Sequence, residues 1–191
     1  GVAILSRQSQ TNQLAGIPDF TDDQQRVLAA NIGGLRIICA YIPNGQSLDS
    51  DKYQYKLRWL KALTTWLESE LKTYPRLVLL GDYNIAPEDR DVHDPQAWVG
   101  QVLVSEAERA VFRQLVELGL HDAFRLFEQP AGSFSWWDYR MAGFRRNLGM
   151  RIDHILVSTP LINQCKSCSI DKAPRKLERP SDHAPVILEL A

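Results

Sequence analysis

The chain has 191 residues, 45% of them hydrophobic and 24% charged, with a formal net charge of −1. This composition excludes a disordered chain, suits one domain with a sizeable core, and leaves any nucleic-acid binding to a local basic face. No apolar run is long enough to cross a bilayer, and the odd set Cys39, Cys165 and Cys168 points to a reducing, cytoplasmic setting.

The opening stretch GVAILS reads as a strand, an apolar run closed by Ser6 and Arg7. LRIICAYIPNG (35–45) is a β-rich run stopped by Pro43, Asn44 and Gly45. In YQYKLRWLKALTTWLESELK (53–72), Leu57, Leu60, Leu63, Leu67 and Leu71 recur three or four apart, the spacing of an amphipathic helix. On that stripe Trp59 and Trp66 are expected in the core. RLVLLGD (76–82) is a short apolar run with a glycine stop, a strand buried on both faces. A charged, proline-containing loop follows. SEAERAVFRQLVELGL (105–120) then opens a second helix with the capping box Ser105 and Glu108. SFSWWDYR (133–140) is aromatic and extended, MRIDHILVS (150–158) is a strand, and NQCKSCSI suggests another. RPSDHAPVILEL (179–190) is a loop feeding a final strand. Strands alternate with helices early and dominate later, which suggests a layered α/β fold of two packed sheets with helices outside.

Three carboxylates share one design. Asp82 follows LVLLG, Asp153 precedes HILVS, and Asp182 precedes HAPVILEL. Strand ends are rigid and open onto loops, so they combine precision with access. A lone strand-end aspartate is ordinarily a turn former. Three of them, beside the polar neighbours Asn84, His154 and His183, suit a hard, oxygen-preferring cation such as Mg²⁺. In SDHAP, Asp182 is a candidate ligand, and His183 a proton donor or positive clamp for substrate. Tyr41 and Asn44 stand at another strand end, placed to donate to phosphate oxygens. The stretch SWWDYRMAGFRRNLGMR carries Arg140, Arg145, Arg146 and Arg151, with no acid after Asp138. It reads as a phosphate-gripping loop in which Trp136, Met150 or Ile152 stacks on or wedges against a sugar or base. The spacing Cys165-x-x-Cys168 has no second pair, and on a strand its sulfurs would point to opposite faces, so zinc is not expected. No P-loop and no dinucleotide fingerprint is present.

Taken together, YIPNG, LLGDYNIAP, FSWWDYR, LGMRIDHILVS and RPSDHAP, in that order, resemble the exonuclease III family of the endonuclease/exonuclease/phosphatase superfamily. The resemblance spans essentially the whole chain as one domain. It implies a two-sheet, four-layer α/β sandwich of the deoxyribonuclease I-like type. The implied activity is a Mg²⁺-dependent DNA repair phosphodiesterase, with Mn²⁺ as the other usable metal. Its activities would be AP endonuclease and 3′→5′ exonuclease or 3′-phosphatase, on double-stranded DNA with abasic sites or 3′ ends. A soluble monomer without membrane contact is expected. The alternative is a superfamily phosphatase or phospholipase acting on inositol phosphates or sphingomyelin.

The implied roles follow residue by residue. Asp82 is the carboxylate that orients or deprotonates the attacking water, and Asn84 its companion. Tyr41 contacts the phosphate, His183 stabilises the phosphorane, and Asp153 orients and charges His183. Asp82, Asn84, Asp182 and His183 face the metal. Asn44, Trp136, Arg140, Met150 and Ile152 contact DNA, with Trp136, Met150 and Ile152 flanking a pocket for a base-free sugar. One departure stands out. Family members begin with strands carrying an asparagine and a metal-binding glutamate, and GVAILS resembles a strand that follows both. The resemblance therefore implies that roughly the first quarter of a complete enzyme is missing, leaving an N-terminally incomplete fold of weak or no activity.

Overall fold

A computed structural model describes residues 1–191. Its main sheet is built from β1 (Thr11–Ala15), β2 (Val27–Ile32), β3 (Leu35–Tyr41), β4 (Leu77–Asp82), β5 (Leu120–Asp122) and β8 (Asp153–Ser158), in the spatial order β1-β2-β3-β4-β8-β5. Only β3 and β4 run parallel, and the 23-residue helix α1 (Asp51–Thr73) makes their crossover. A second helix, α2 (Glu106–Glu117), leads into β5. Two short strands, β6 (Trp136–Trp137) and β7 (Gly149–Met150), pair around the one-turn helix α3 (Gly143–Arg146). The strands β9 (Cys165–Ile170) and β10 (Val186–Leu190) form a separate antiparallel sheet. No helix is long and apolar enough to cross a membrane.

The two faces of the main sheet are claimed by different layers. Ile38, Ala40, Leu77, Leu79 and Leu156 face the helices, where Trp59, Leu60, Leu63, Trp66 and Leu67 complete the largest core cluster. Val78, Ile155 and Val157 point the other way, against Cys168, Val186 and Leu188 of the small sheet. Alternation along β4 and β8 thus sends neighbouring side chains into opposite cores. Leu60, Leu63 and Leu67 are fully buried, each contributing about 1.5–3 kcal/mol. Ser50 caps α1 by accepting from the Tyr53 N–H, and the Ser105–Glu108 capping box opens α2 as its sequence predicts.

Three local expectations need correction. GVAILS forms no strand: residues 1–10 join no ladder, and Leu5 is 95% exposed. Its alternating burial fits extended backbone, but extended backbone becomes a strand only when a partner takes its hydrogen bonds. Conversely, β1 and β2 are strands that the motifs do not announce: TNQLA is an edge strand with four exposed residues and little apolar pattern, and VLAANI a short apolar run that pairs between β1 and β3. Finally, Cys165 and Cys168 do not face apart. A register shift between Glu189 and Leu190 brings both sulfurs onto one core cluster, where they remain free thiols.

Candidate active site

Sheet register gathers the first residues. Tyr41 of β3 is opposite Asp82 of β4, and Asp82 is opposite Asp153 of β8, so three strands end in one row. The glycine before Asp82 permits this close approach. Gly81 has φ +139°, and a Cβ there would lie 1.9 Å from the Ala40 carbonyl oxygen.

After Asp82 the chain turns through Asn84, whose φ is +49°. The Asn84 N–H donates to Asp82 Oδ1 at 2.8 Å, and its Nδ2 donates to Asp82 Oδ2 at 3.1 Å and to the Ile42 carbonyl at 3.0 Å. Its Oδ1 accepts from Asn44 Nδ2 at 2.9 Å. Asn84 is buried, so its amide aims Asp82 rather than standing free for a ligand.

His183 arrives on the loop before β10. The Ala184 N–H donates to the Ser135 carbonyl at 2.7 Å, and the Trp137 N–H to the Asp182 carbonyl at 3.0 Å. These bonds hold His183 Nδ1 at 2.9 Å from Asp153 Oδ2. Asp153 is itself fixed, since the hydroxyl of buried Ser135 accepts its N–H at 3.1 Å.

Asp82, Asp153 and His183 each offer a ligand atom, all within 4.8 Å of one another. Burial, and then the Asp153 charge, push the Asp82 carboxyl up to about 7, against the pull of His183. Burial alone would depress the His183 imidazole. The Asp153 hydrogen bond and charge, with Asp82 and Asp182 nearby, raise it above its ordinary value. Two half-buried carboxylates crowded to this degree suit a bound cation, which would relieve their repulsion, and their oxygens suit a hard one.

The other expected site residues are distributed differently. Asp182 lies outside this group: its Oδ2 accepts the Trp136 indole N–H at 3.0 Å. Tyr41 is exposed at the end of the row, with the Arg26 guanidinium 4.9 Å from its ring centroid. Asn44 is exposed and tied to Asn84. Trp136 and the exposed Arg140 line one cleft with His93 and Trp98, and Arg140 forks onto Asp138 at 2.6 Å. Met150 and Ile152 cannot wedge into a ligand as they stand: they are 0% and 2% exposed, packed in a core cluster with Val92 and Tyr53. His154 also leaves the site. Strand alternation turns it inward, where Nε2 bonds the Ile85 carbonyl at 2.8 Å and Nδ1 bonds Arg151 at 3.0 Å. Burial, reinforced by Arg151, lowers its pKa to about 4. Arg151 is no surface arginine either. It is 1% exposed and pairs with Asp91 and Asp122.

Lys56 is the supporting residue that the motifs do not announce. Fully buried on α1, its ammonium pairs with Glu108 and donates to the carbonyls of Asn84 at 2.7 Å and Asn44 at 3.2 Å. All three of its N–H bonds are therefore used, and both loops at the strand ends hang on it. The visible signal is a lysine at helical spacing with Leu60, Leu63 and Leu67.

The chain as a whole has counterparts among known proteins. The model of the Endonuclease/Exonuclease/phosphatase family matches residues 1–183. The chain is similar to exodeoxyribonuclease III of Haemophilus influenzae, 37% identical over 99% of this chain and 76% of the relative. Among solved structures it is similar to a 3′ phosphatase from Neisseria bound to product DNA hairpin, with a TM-score of 0.94 and 44% identity, covering 97% of this chain and 73% of that one. It is likewise similar to an AP endonuclease from Archaeoglobus fulgidus, with a TM-score of 0.91 and 35% identity, covering 96% of this chain and 72% of that one. The chain belongs to the endonuclease/exonuclease/phosphatase family, in its exonuclease III branch, and is a hydrolase acting on DNA.

Proposed function

We propose that the protein is a Mg²⁺-dependent phosphodiesterase of duplex DNA repair, acting at abasic sites and at blocked or free 3′ ends. The observation that carries this reading is the row Tyr41–Asp82–Asp153 across the ends of three neighbouring strands, closed by His183 on Asp153. The named activities of the Neisseria and Archaeoglobus relatives support it.

In this reading Asp82, aimed by Asn84, takes the proton of the attacking water. Without a cation, burial and the Asp153 charge make Asp82 hold a proton more tightly than an ordinary aspartate, and a bound cation would return it to the ionised form a base needs. Asp153 keeps His183 protonated, and the free Nε2 of His183 faces the non-bridging oxygens, whose charge grows in the transition state. Tyr41 donates its hydroxyl to the same phosphate. Asp82 and Asp153 would hold the cation, which supplies charge neutralisation at the phosphate. Asp182 acts through Trp136, whose indole it fixes in the cleft that takes the DNA backbone with Arg140.

The test is cleavage of three labelled substrates by one preparation: an abasic duplex, a duplex with a 3′-phosphate, and an inositol phosphate. EDTA should stop turnover of the two DNA substrates and Mg²⁺ should restore it. Turnover of the inositol phosphate alone would replace this reading with the phosphatase one.

A further inference from the structure

We propose that an arginine-lined cavity beside the active-site cleft is a second phosphate site, holding a backbone phosphate of the same DNA that occupies the cleft. This rests on the reading of the cleft as a DNA site.

The cavity, about 660 Å³, is lined by Arg90, Arg125, Arg146 and His93, and no carboxylate lines it. That volume admits a phosphate with its flanking sugars. The three guanidiniums are not equally spoken for. Arg90 pairs with Glu88, but both are more than half exposed, so the pair is worth little and exchanges readily. Arg146 has no carboxylate partner, and only reaches the Met141 carbonyl at 3.5 Å. Arg125 pairs through Nη2 with buried Asp91, yet its Nε is sealed from solvent with no hydrogen-bond partner. The Arg125 side chain keeps 22% of its surface exposed, so a ligand in the cavity meets the guanidinium there and not at the sealed Nε. Burial, and then the Arg151 charge, lower the Arg125 pKa, against the opposing pull of Asp91.

The position of the cavity names the source of the anion. His93 and Leu148 line both this cavity and the Trp136–Arg140 cleft. Trp136 in turn pairs with His183 through a β-bridge. Trp136 therefore lies in the cleft that adjoins the arginines, with its backbone paired to that of His183. Phosphates repeat along a nucleic-acid strand, and planar guanidiniums match a phosphate's oxygens in pairs.

The test follows arginine Nε–H and histidine imidazole resonances of the full chain in ¹H–¹⁵N spectra, with EDTA present to prevent cleavage and with Arg125→Lys and His183→Gln to assign the two signals. Adding a DNA hairpin should move both the His183 and the Arg125 signals, whereas inorganic phosphate at equal phosphate concentration should leave Arg125 in place. Arg146→Glu should lower hairpin affinity and reduce the slope of log K against log salt by about 1. A His183 signal that moves while Arg125 stays still overturns the second site and leaves the DNA reading intact. Equal shifts from inorganic phosphate overturn the DNA assignment in favour of a free-anion pocket. If the hairpin moves neither signal, both readings fall.

Discussion

Asp153 stands directly opposite Asp82 in the antiparallel β4–β8 register, and only Asp153 carries the His183 hydrogen bond. Two carboxylates of the same chemistry are thereby set apart. One is committed to an imidazole. The other is left against it with a pKa pushed up to about 7 by burial and by that neighbour.

The division predicts unequal effects of substitution. Asp82→Asn should lower kcat on an abasic duplex by a factor on the order of 10³ while leaving hairpin binding within about threefold. Fluorescence anisotropy and single-turnover cleavage on the same preparation check this, and equal loss of both would remove the assigned role of Asp82.

Asp153→Asn should act through His183. With the carboxylate gone, the burial that opposes protonation is no longer outweighed, so the imidazole pKa should fall below its value in the parent. The sign also bears on stability. A raised folded pKa contributes stability below the unfolded value of about 6.5, and this is lost as pH rises through the folded value. NMR titration of His183 in parent and variant, both metal-free, measures the shift. An unchanged pKa would show that Asp153 does not charge the histidine.

Lys56→Met should destabilise the protein by about 3–5 kcal/mol, because Glu108 is left buried and unpaired. The double variant Lys56→Met with Glu108→Gln, which removes the unpaired charge and keeps the capping box of α2, should recover part of that stability in urea unfolding. It should nevertheless stay slow, with kcat reduced more than KM, because the carbonyls of Asn84 and Asn44 have lost their shared donor. Full activity in the stable double variant would reduce Lys56 to a packing role.

His154 predicts acid sensitivity. It is fully buried and neutral, with a folded pKa of about 4 against about 6.5 unfolded. Below pH 6.5 the unfolded chain binds a proton that the folded one refuses, so stability is lost as pH falls toward the folded value. Between pH 7 and pH 4.5 the parent should lose about 2 kcal/mol more than His154→Gln. Denaturant unfolding at the two pH values checks the difference, and parallel losses would place the acid sensitivity elsewhere.

Much of this was legible in the linear chain because it depends on periodicity and local chemistry. The leucine spacing of α1, the Ser105–Glu108 box, and the apolar run ending at Gly81-Asp82 all signal their structure within a few residues. The resemblance of five short motifs likewise named the residues Tyr41, Asp82, Asp153 and His183 before any register was known. What a motif could not supply was direction. Met150 and Ile152 fit a DNA wedge by type, but packing closes them into the core. His154 sits next to Asp153 in the chain, yet strand alternation turns it away from the cleft and into a buried network with Arg151.

Partnership was equally hidden. GVAILS has the composition of a strand, but a strand exists only when another takes its hydrogen bonds. Lys56 and Glu108 are 52 residues apart, and no local rule says that one ion pair will hold both loops of the site. The residue types and their strand-end positions were thus determined by the amino-acid sequence itself. Only the tertiary structure decided that Asp153, rather than Asp182, joins Asp82. That choice depends on sheet register, and on a tryptophan indole that claims Asp182 for itself.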